Sequence, residues 1–514
     1  MLKKVAPYVL IICASAVSLG AVYWCQWHWL FKIGLPLDDS YIHLQFVKNI
    51  LAGDWLVYSA GQPATPGDTS PLWILLIAGL GKFHSNLIYD SLILSGVFYA
   101  LTGLAAYLLA QKLLSNQALS LASALVTVFT GRLLWTGASG MEGTLFSFLC
   151  LLGVFLYLRG KDQGKFSLLA AAIFGLAGNA RPEGNLLFIF ALLDWVLLEK
   201  IMREKKIRPG SIPWAAGMVF AVLAAPYLIF SLAATGHFTP NTYRATRLPV
   251  NWPRSLDYLN LVIQFFFHDH LLLHIFLPVG VTAWLARAWS KSSPERKQIL
   301  VWLWPVGYLL ISVVFTPVKF HFQRYLIPVL PFFIMVSFYG LEWVLQKFRR
   351  IASPQRISAA RYVLLAMFVA WAGVVTLAGW PKMIALCVKN IDDMQVRIGE
   401  WVRDNTAPGD LIAANDIGAI FYLSQRPALD LIGLVNPELI PKVEGLKVPD
   451  PKRDQVTFEY LKQKKPEYLV VFPNWYPTVV EKTEYFQPVF SVTLTDNLIC
   501  AADQMVVYKC TWPD

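Results

Sequence analysis

Asp38 and Asp39 stand side by side in Leu35-Pro36-Leu37-Asp38-Asp39-Ser40-Tyr41-Ile42-His43-Leu44, just beyond the first long apolar segment. A carboxylate within hydrogen-bond reach of a reacting hydroxyl takes its proton as the oxygen attacks, so an acidic pair at a membrane surface reads as a catalytic base with a neighbour. A plainer reading is that one of them caps a helix starting at Ser40, since an Asp oxygen can accept the free N–H groups of a first turn. One carboxylate suffices for a cap, which leaves the other to explain. Of the two, Asp38 is expected to be the base, and Asp39 to cap the helix or bind an ion. The pair could also offer oxygens to a divalent metal, Mg or Mn, although adjacent carboxylates rarely complete a metal site without further ligands.

Further polar residues interrupt apolar sequence at the ends of candidate spans. They are Glu142 in Gly140-Met141-Glu142-Gly143, Arg181 and Glu183 in Arg181-Pro182-Glu183-Gly184, His237, Asn241, Tyr243 and Arg244 in the run 236–244, and Arg324 after Lys319 and His321. Ionisable groups in such places need partners and default to a functional role, here substrate binding. A plainer alternative stands beside several of them. Arg181 and Glu183 could be a local ion pair fixing a hairpin, Arg324 a side chain snorkelling to the interface, and Thr239-Pro240-Asn241 a simple turn. His268-Asp269-His270 with His274 has metal-like spacing on a helix, against which stands an interfacial turn.

The elements that hold these residues must lie in a membrane. Of 514 residues 56% are hydrophobic and only 15% charged, the mean hydropathy is +0.50, and there are 19 Trp, more than a soluble core of this length needs. The net charge of +11 comes from short basic clusters between apolar segments and not from one basic face, which excludes nucleic acid as a partner. Apolar stretches of spanning length fall at 6–25, 87–110, 118–134, 141–159, 166–181, 183–199, 213–234, 268–289, 298–316, 323–346 and 360–380, about eleven in all. The first runs into Tyr23, Trp24, Trp27 and Trp29, an interfacial aromatic belt, and is expected to remain as a span and not to be removed as a signal peptide. The run 71–83 is too short to cross and reads as an interfacial or re-entrant helix. With it excluded, the basic residues at 3–4, 112, 159–165, 200–208, 287–297 and 347–356 share the cytoplasmic side, which places the N-terminus inside and the C-terminus outside.

The expected architecture is a polytopic α-helical membrane protein. Residues 1–380 form the membrane domain, with a first extracytoplasmic loop at 31–86, and 381–514 form an extracytoplasmic soluble α/β domain. Charge rises after Trp380, and the patterns read as helices at 392–403 and 455–464, strands at 428–432 and 468–472, and a hairpin of 489–494 with 505–509. Cys500 and Cys510 flank the second hairpin strand, where an oxidising compartment could join them in a disulfide; a pair of buried free thiols is the alternative. No Asn-x-Ser/Thr sequon occurs, which favours a bacterial envelope, and so the plasma (inner) membrane.

Taken in order, Asp-Asp-Ser-Tyr-Ile-His-Leu at 38–44, Thr-Ser-Pro-Leu-Trp at 69–73, Gly-Met-Glu-Gly at 140–143, Arg-Pro-Glu-Gly at 181–184, Thr-Pro-Asn-Thr-Tyr at 239–243 and Arg-Tyr-Leu-Ile-Pro at 324–328 resemble the bacterial GT-C membrane glycosyltransferases, above all the terminal β-1,2-arabinofuranosyltransferase type. The resemblance continues into Asn-Asp-Ile-Gly-Ala at 415–419 and Asp-Leu-Ile-Gly-Leu at 430–434. It implies a GT-C-like fold, a polyprenyl-phosphate sugar as donor, an envelope glycan, lipid or protein as acceptor, and inversion at the anomeric carbon with an acidic residue of the first loop as base. Elementary chemistry agrees, because one direct displacement inverts configuration and needs one base. A lipid phosphate leaves without a strong acid but calls for positive charge, for which Arg324, Arg244, Arg181, Lys319 and His321 are candidates. The chain departs from the family pattern at Gly67-Asp68-Thr69, where an aromatic residue commonly precedes Thr, and at Gly143, where Thr or Ser is usual. Two other classes compete. A lipid-linked-sugar transporter or flippase would show discontinuous helices in paired halves, and a non-catalytic envelope assembly protein would tolerate Asn at both 38 and 39.

Overall fold

The computed structural model describes residues 2–114, 116–198, 212–246, 250–288, 294–315, 317–349 and 353–513. The basic cluster at 200–208 lies outside the described residues, as do parts of 287–297 and 347–356. Helices begin and end where local chemistry dictates. Asn86, Asn116 and Ser167 turn side-chain oxygens onto the free N–H groups of helices Leu87–Leu113, Gln117–Val128 and Leu168–Ala180. Gly53 (φ 104°) closes helix Asp38–Ala52 in the left-handed region, which glycine enters without a steric penalty.

Among the described residues six helices are long and apolar enough to cross a membrane: Val5–Leu30, Leu87–Leu113, Gly143–Asp162, Trp214–Thr235, His321–Phe348 and Pro354–Asn405. The number becomes eight if each of two bent pairs is one span. These are Gln117–Val128 with Gly131–Gly137, bent by 62°, and Trp252–His274 with Leu277–Ala288, bent by 83°. Pro71–Gly81, Leu168–Ala180, Gly184–Val196 and Leu300–Phe315 are apolar but shorter. The stretch expected at 268–289 as one span is therefore broken, since His270 leaves helical geometry (φ −137°) and the chain turns before Leu277. Helix Gly143–Asp162 has 20 residues, a rise of about 30 Å, so Glu142 at its start and Asp162 at its end lie on opposite sides of an apolar layer. Lys112 pairs with Asp162 at 2.6 Å, and Lys161 with Asp194 at 2.8 Å, which sets basic residues at the end remote from Glu142.

Helix Pro354–Ile391 runs unbroken through Trp380, so the change of composition read there falls inside a helix. A π turn, Asp392–Val396, passes directly into helix Arg397–Asn405. Beyond it lies a five-stranded sheet of β1 (Ile412–Ala414), β2 (Ala428–Asp430), β3 (Tyr468–Val471), β4 (Phe486–Thr493) and β5 (Gln504–Cys510), in the order β2-β1-β3-β5-β4. β1 is parallel to β2 and β3, while β5 is antiparallel to β3 and β4. Side chains alternate between two cores, as a pleated strand requires. Leu469, Val471, Val506 and Tyr508 pack with Phe458 and Leu461 of helix Pro451–Lys464. Ile412, Ala414, Val470 and Val507 face Ile398, Val402 and Phe421, in a core continuous with that of the membrane helices.

The disulfide reading is corrected. Both cysteines are free thiols: the Cys500 thiol meets Gln395 Oε1 at 3.4 Å before β5 begins, whereas Cys510 ends β5 opposite Phe486. The seven-residue strand that ends in Cys510 spans about 20 Å.

Candidate active site

Helix Asp38–Ala52 starts at Asp38 itself, with Leu37 in the cap position and no side-chain cap, so neither carboxylate serves the helix that was expected to need one. Successive helical residues point about 100° apart, and the two carboxylates diverge accordingly. Asp38 is 7% exposed and turns toward the sheet domain, accepting the N–H of Gly418 at 2.9 Å and of Ala419 at 2.8 Å. Burial and the nearby Asp416 carboxylate push its pKa well above the usual range, and the two N–H bonds pull it back. Asp39 turns the other way and accepts from Arg324 Nη2 at 2.6 Å. Burial would raise its pKa, but Arg324 and then His321 outweigh burial and hold it below the ordinary value. Its side chain keeps 36% of its surface accessible, against 15% for Arg324.

His43 lies one turn after Asp39 on the same helix face. It joins two loops, with Nδ1 2.6 Å from Asp68 Oδ2 and Nε2 3.2 Å from Glu142 Oε2. Burial favours neutral imidazole, yet the two carboxylates prevail and raise its pKa to about 10, so at neutral pH both ring nitrogens donate. Glu142 is in turn lowered to about 2, where burial is outweighed by His43 and Arg181. Arg181 Nη1 reaches Glu142 Oε1 at 3.0 Å and Nη2 reaches Glu183 Oε1 at 3.1 Å. The local ion pair between Arg181 and Glu183 is therefore present, as one link in the longer chain Asp68–His43–Glu142–Arg181–Glu183. With Nη1 and Nη2 each bonded to a carboxylate, Arg181 braces the site.

Both guanidiniums lie near Tyr325. Arg181 is 4.6 Å and Arg324 5.2 Å from its ring centroid, close enough for cation–π attraction in each case. Arg324 Nε and Nη1 are buried and have no hydrogen-bond partner among the described residues. A buried unpaired guanidinium nitrogen is costly, and two on one side chain mark a place for an anion. The approach to Arg324 is also strained. His321, Phe322 and Gln323 have φ of 53°, 54° and 54°, a left-handed run that costs about 1–2 kcal/mol per residue in non-glycine residues.

The other expected residues divide. Asn241 is fully buried and works as a strut. Its Nδ2 donates to Thr65 Oγ1 at 3.1 Å and to the Leu434 carbonyl at 3.0 Å, tying the first loop to the sheet domain, while its Oδ1 is unpartnered. His237 is exposed, Tyr243 and Arg244 are half-buried, and none of the three makes a side-chain hydrogen bond or ion pair among the described residues. The metal reading at 268–274 is corrected. Asp269 pairs with Arg132 at 2.9 Å, His270 with Thr130 at 2.8 Å and His274 with Ser337 at 2.9 Å. The described residues hold no group of three or more His, Cys, Asp or Glu able to bind a metal. Nor do Asp38 and Asp39 suit Mg or Mn, since one is turned onto backbone N–H groups and the other onto a guanidinium.

Asp68 and Arg132 escaped the sequence reading, and Asp416 entered it only within the motif at 415–419. Asp68 is the very residue by which the chain departs from the family pattern, and that departure was its signal. Asp416, raised to about 6 chiefly by burial, is held by Gln395 at 2.9 Å and Asn415 at 3.0 Å. It stands at the carboxyl end of β1, where β1 is flanked by β2 on one side and β3 on the other, the kind of crevice in which open α/β sheets bind ligands. Arg132, a charge within an apolar stretch, could have been flagged by that alone. The second departure, Gly143, has a steric reason: a Cβ there would come within 2.5 Å of Thr136 Cγ2.

Two families match parts of the chain. Residues 68–230 match the dolichyl-phosphate-mannose-protein mannosyltransferase family, and residues 389–508 a domain family of unknown function. No curated protein matches the sequence. Similar solved structures include ArnT from Cupriavidus metallidurans bound to undecaprenyl phosphate, with a TM-score of 0.60, 12% identity, and 98% of this chain and 97% of that one covered. The archaeal oligosaccharyltransferase AglB from Archaeoglobus fulgidus, in complex with an inhibitory peptide and a dolichol-phosphate, gives a TM-score of 0.60 at 11% identity over 96% and 73% of the two chains. The arabinofuranosyltransferase AftD from Mycobacteria gives 0.52 at 15% identity, covering 98% of this chain and 40% of AftD. The chain thus has the GT-C architecture of membrane glycosyltransferases, a multi-pass helical membrane part carrying a small C-terminal sheet region.

Proposed function

We propose that the chain is an inverting glycosyltransferase that moves a sugar from a polyprenyl-phosphate donor to an envelope glycan, lipid or protein on the extracytoplasmic face of a bacterial plasma membrane. The observation that carries this reading is Arg324, whose buried Nε and Nη1 lack partners among the described residues while Nη2 holds Asp39 at 2.6 Å. A phosphate bound at the two free donors sits beside the one acidic side chain of the pair that remains accessible.

The steps follow from charge. The donor is a phosphodiester, and as the bond from the anomeric carbon to the phosphate oxygen breaks, that oxygen keeps the electron pair and a second negative charge develops. Arg324 stabilises this charge more strongly than the ground state, which is what lowers the barrier. On the opposite face of the sugar the acceptor oxygen forms its bond to the anomeric carbon, and its proton passes to Asp39. Arg324 keeps Asp39 a weak base while the two are paired. Neutralisation of Arg324 by the phosphate relaxes that hold, so the base gains strength when the donor is in place. No step calls for a divalent cation.

Asp416 offers hydrogen-bond acceptors to the hydroxyls of an incoming acceptor from the sheet domain. The two bent spans, which a transporter would also show, are joined by the Arg132–Asp269 pair beside the residues that precede Arg324. The reading is tested with purified full-length protein and undecaprenyl phosphate in detergent. Arg324→Met should weaken binding at least tenfold, about the value of one charge-assisted hydrogen bond. Binding equal to the parent would overturn it.

A further inference from the structure

Three consecutive left-handed residues persist only where the surroundings over-determine them, and the surroundings of 321–323 can be named. The Phe322 ring meets Trp135 and Trp380 edge-on, each with centroids 5.4 Å apart. Trp380 in turn lies against Gly131, where a Cβ would come within 1.8 Å of its indole nitrogen. The turn is gripped by Arg132, whose Nη1 donates to the Phe322 backbone carbonyl at 2.8 Å and to the Gln323 side-chain Oε1 at 2.5 Å. Arg132 Nε is anchored on Asp269 Oδ2 at 2.9 Å, and the guanidinium lies 4.6 Å from the Phe265 ring centroid. The pair is almost fully enclosed, at 9% and 6% side-chain exposure.

A buried ion pair is weak evidence for stability, because well-packed apolar residues of the same volume hold a core as well or better. What an apolar residue cannot supply is a hydrogen bond to the backbone of an irregular turn together with one to the turn's own side chain. The helix carrying Arg132, Gly131–Gly137, is the second half of one bent span, and Asp269 sits beside His270, where the other leaves helical geometry. Both breaks thus converge on the residues directly preceding Arg324.

We propose that Arg132 is a positioning residue for the donor phosphate. It holds the turn 321–323 left-handed, so that Arg324 presents Nε and Nη1 to the phosphate while its guanidinium stays near the Tyr325 ring. The inference rests on the phosphate role of Arg324 proposed above. It predicts an effect on phosphate binding that a purely structural role would not produce, because the strain is relieved by glycine at 323.

The test uses full-length, monodisperse protein of each variant, undecaprenyl phosphate binding, and the melting midpoint. Arg132→Met should weaken binding about tenfold with the midpoint within a few degrees of the parent. Adding Gln323→Gly, which enters the left-handed region freely, should recover most of that loss. If Arg132→Met does not fold, Asp269→Asn removes the anchoring charge and should weaken binding in the same direction, by less. Parental binding by Arg132→Met, or by Asp269→Asn where Arg132→Met cannot be purified, overturns the inference, and so does failure of Gln323→Gly to recover any of the loss. Arg324→Met separates the two levels. If it too binds as the parent does, the phosphate reading itself falls; if it binds weakly while Arg132→Met does not, only the positioning role falls.

Discussion

Arg324 donates to Asp39 at 2.6 Å across 285 residues of sequence, while Asp38, one residue earlier, faces away from Arg324 and holds the backbone of Gly418 and Ala419. The two acidic neighbours therefore have separate tasks. In the proposed mechanism Asp39 serves the chemistry and Asp38 the docking of the sheet domain, the reverse of the preference suggested by their order in the chain.

Asp38→Asn should accordingly act on stability first. Asparagine keeps one acceptor oxygen but sets an N–H group against a backbone N–H, at a cost of about 1–3 kcal/mol, visible as a lower melting midpoint with modest loss of turnover. Gly418→Ala should be worse, because its Cβ would come within 2.1 Å of the Asp38 carbonyl oxygen. A parental melting midpoint for both variants would remove the docking role.

Much of the site was legible in outline, because charged residues are conspicuous in an apolar chain. Asp39, Glu142, Arg181, Glu183 and Arg324 were all marked as residues in places that need partners, and the structure joins them into one network. Apart from the neighbouring Arg181–Glu183 pair, which partner each takes was not legible. Pairing over 285 residues depends on how the helices pack, and the divergence of Asp38 from Asp39 depends on where their helix begins, an end effect that moves by a residue or two with the cap. The Cys500–Cys510 pairing failed for the same reason: short separation along the chain says little when an extended strand intervenes.

His43 links stability to pH. Its pKa rises from 6.5 to about 10 in the folded protein, so its contribution is complete below about 6.5 and is lost as pH climbs through 10. The melting midpoint of the parent should fall between pH 6.5 and 10 more steeply than that of His43→Gln. Equal slopes would show that the imidazole is not held charged between Asp68 and Glu142.

Asp416 should govern the acceptor and not the donor. Asp416→Asn is expected to raise the acceptor KM about tenfold, the worth of a charged hydrogen bond, and to leave undecaprenyl phosphate binding unchanged. Since its pKa is raised to about 6, the parental acceptor KM should improve as pH rises past that value, and the variant's should not. An unchanged acceptor KM would place the acceptor elsewhere.

Chelation separates this site from a metal-dependent one. Asp38 and Asp39 do not converge, so EDTA should leave the rate of transfer unaltered. Loss of activity with EDTA, restored by Mg²⁺ or Mn²⁺, would require the two carboxylates to regroup around a cation.

The central claim is that Asp39 takes the acceptor proton beside a phosphate held by Arg324, and the most direct measurement is the single-turnover rate of Asp39→Asn with donor already bound. General-base removal typically costs about 10²- to 10⁴-fold. The account predicts a fall of that order in Asp39→Asn with undecaprenyl phosphate binding retained, and a much smaller fall in Asp38→Asn. A near-parental rate in Asp39→Asn, or the larger fall in Asp38→Asn, would contradict it.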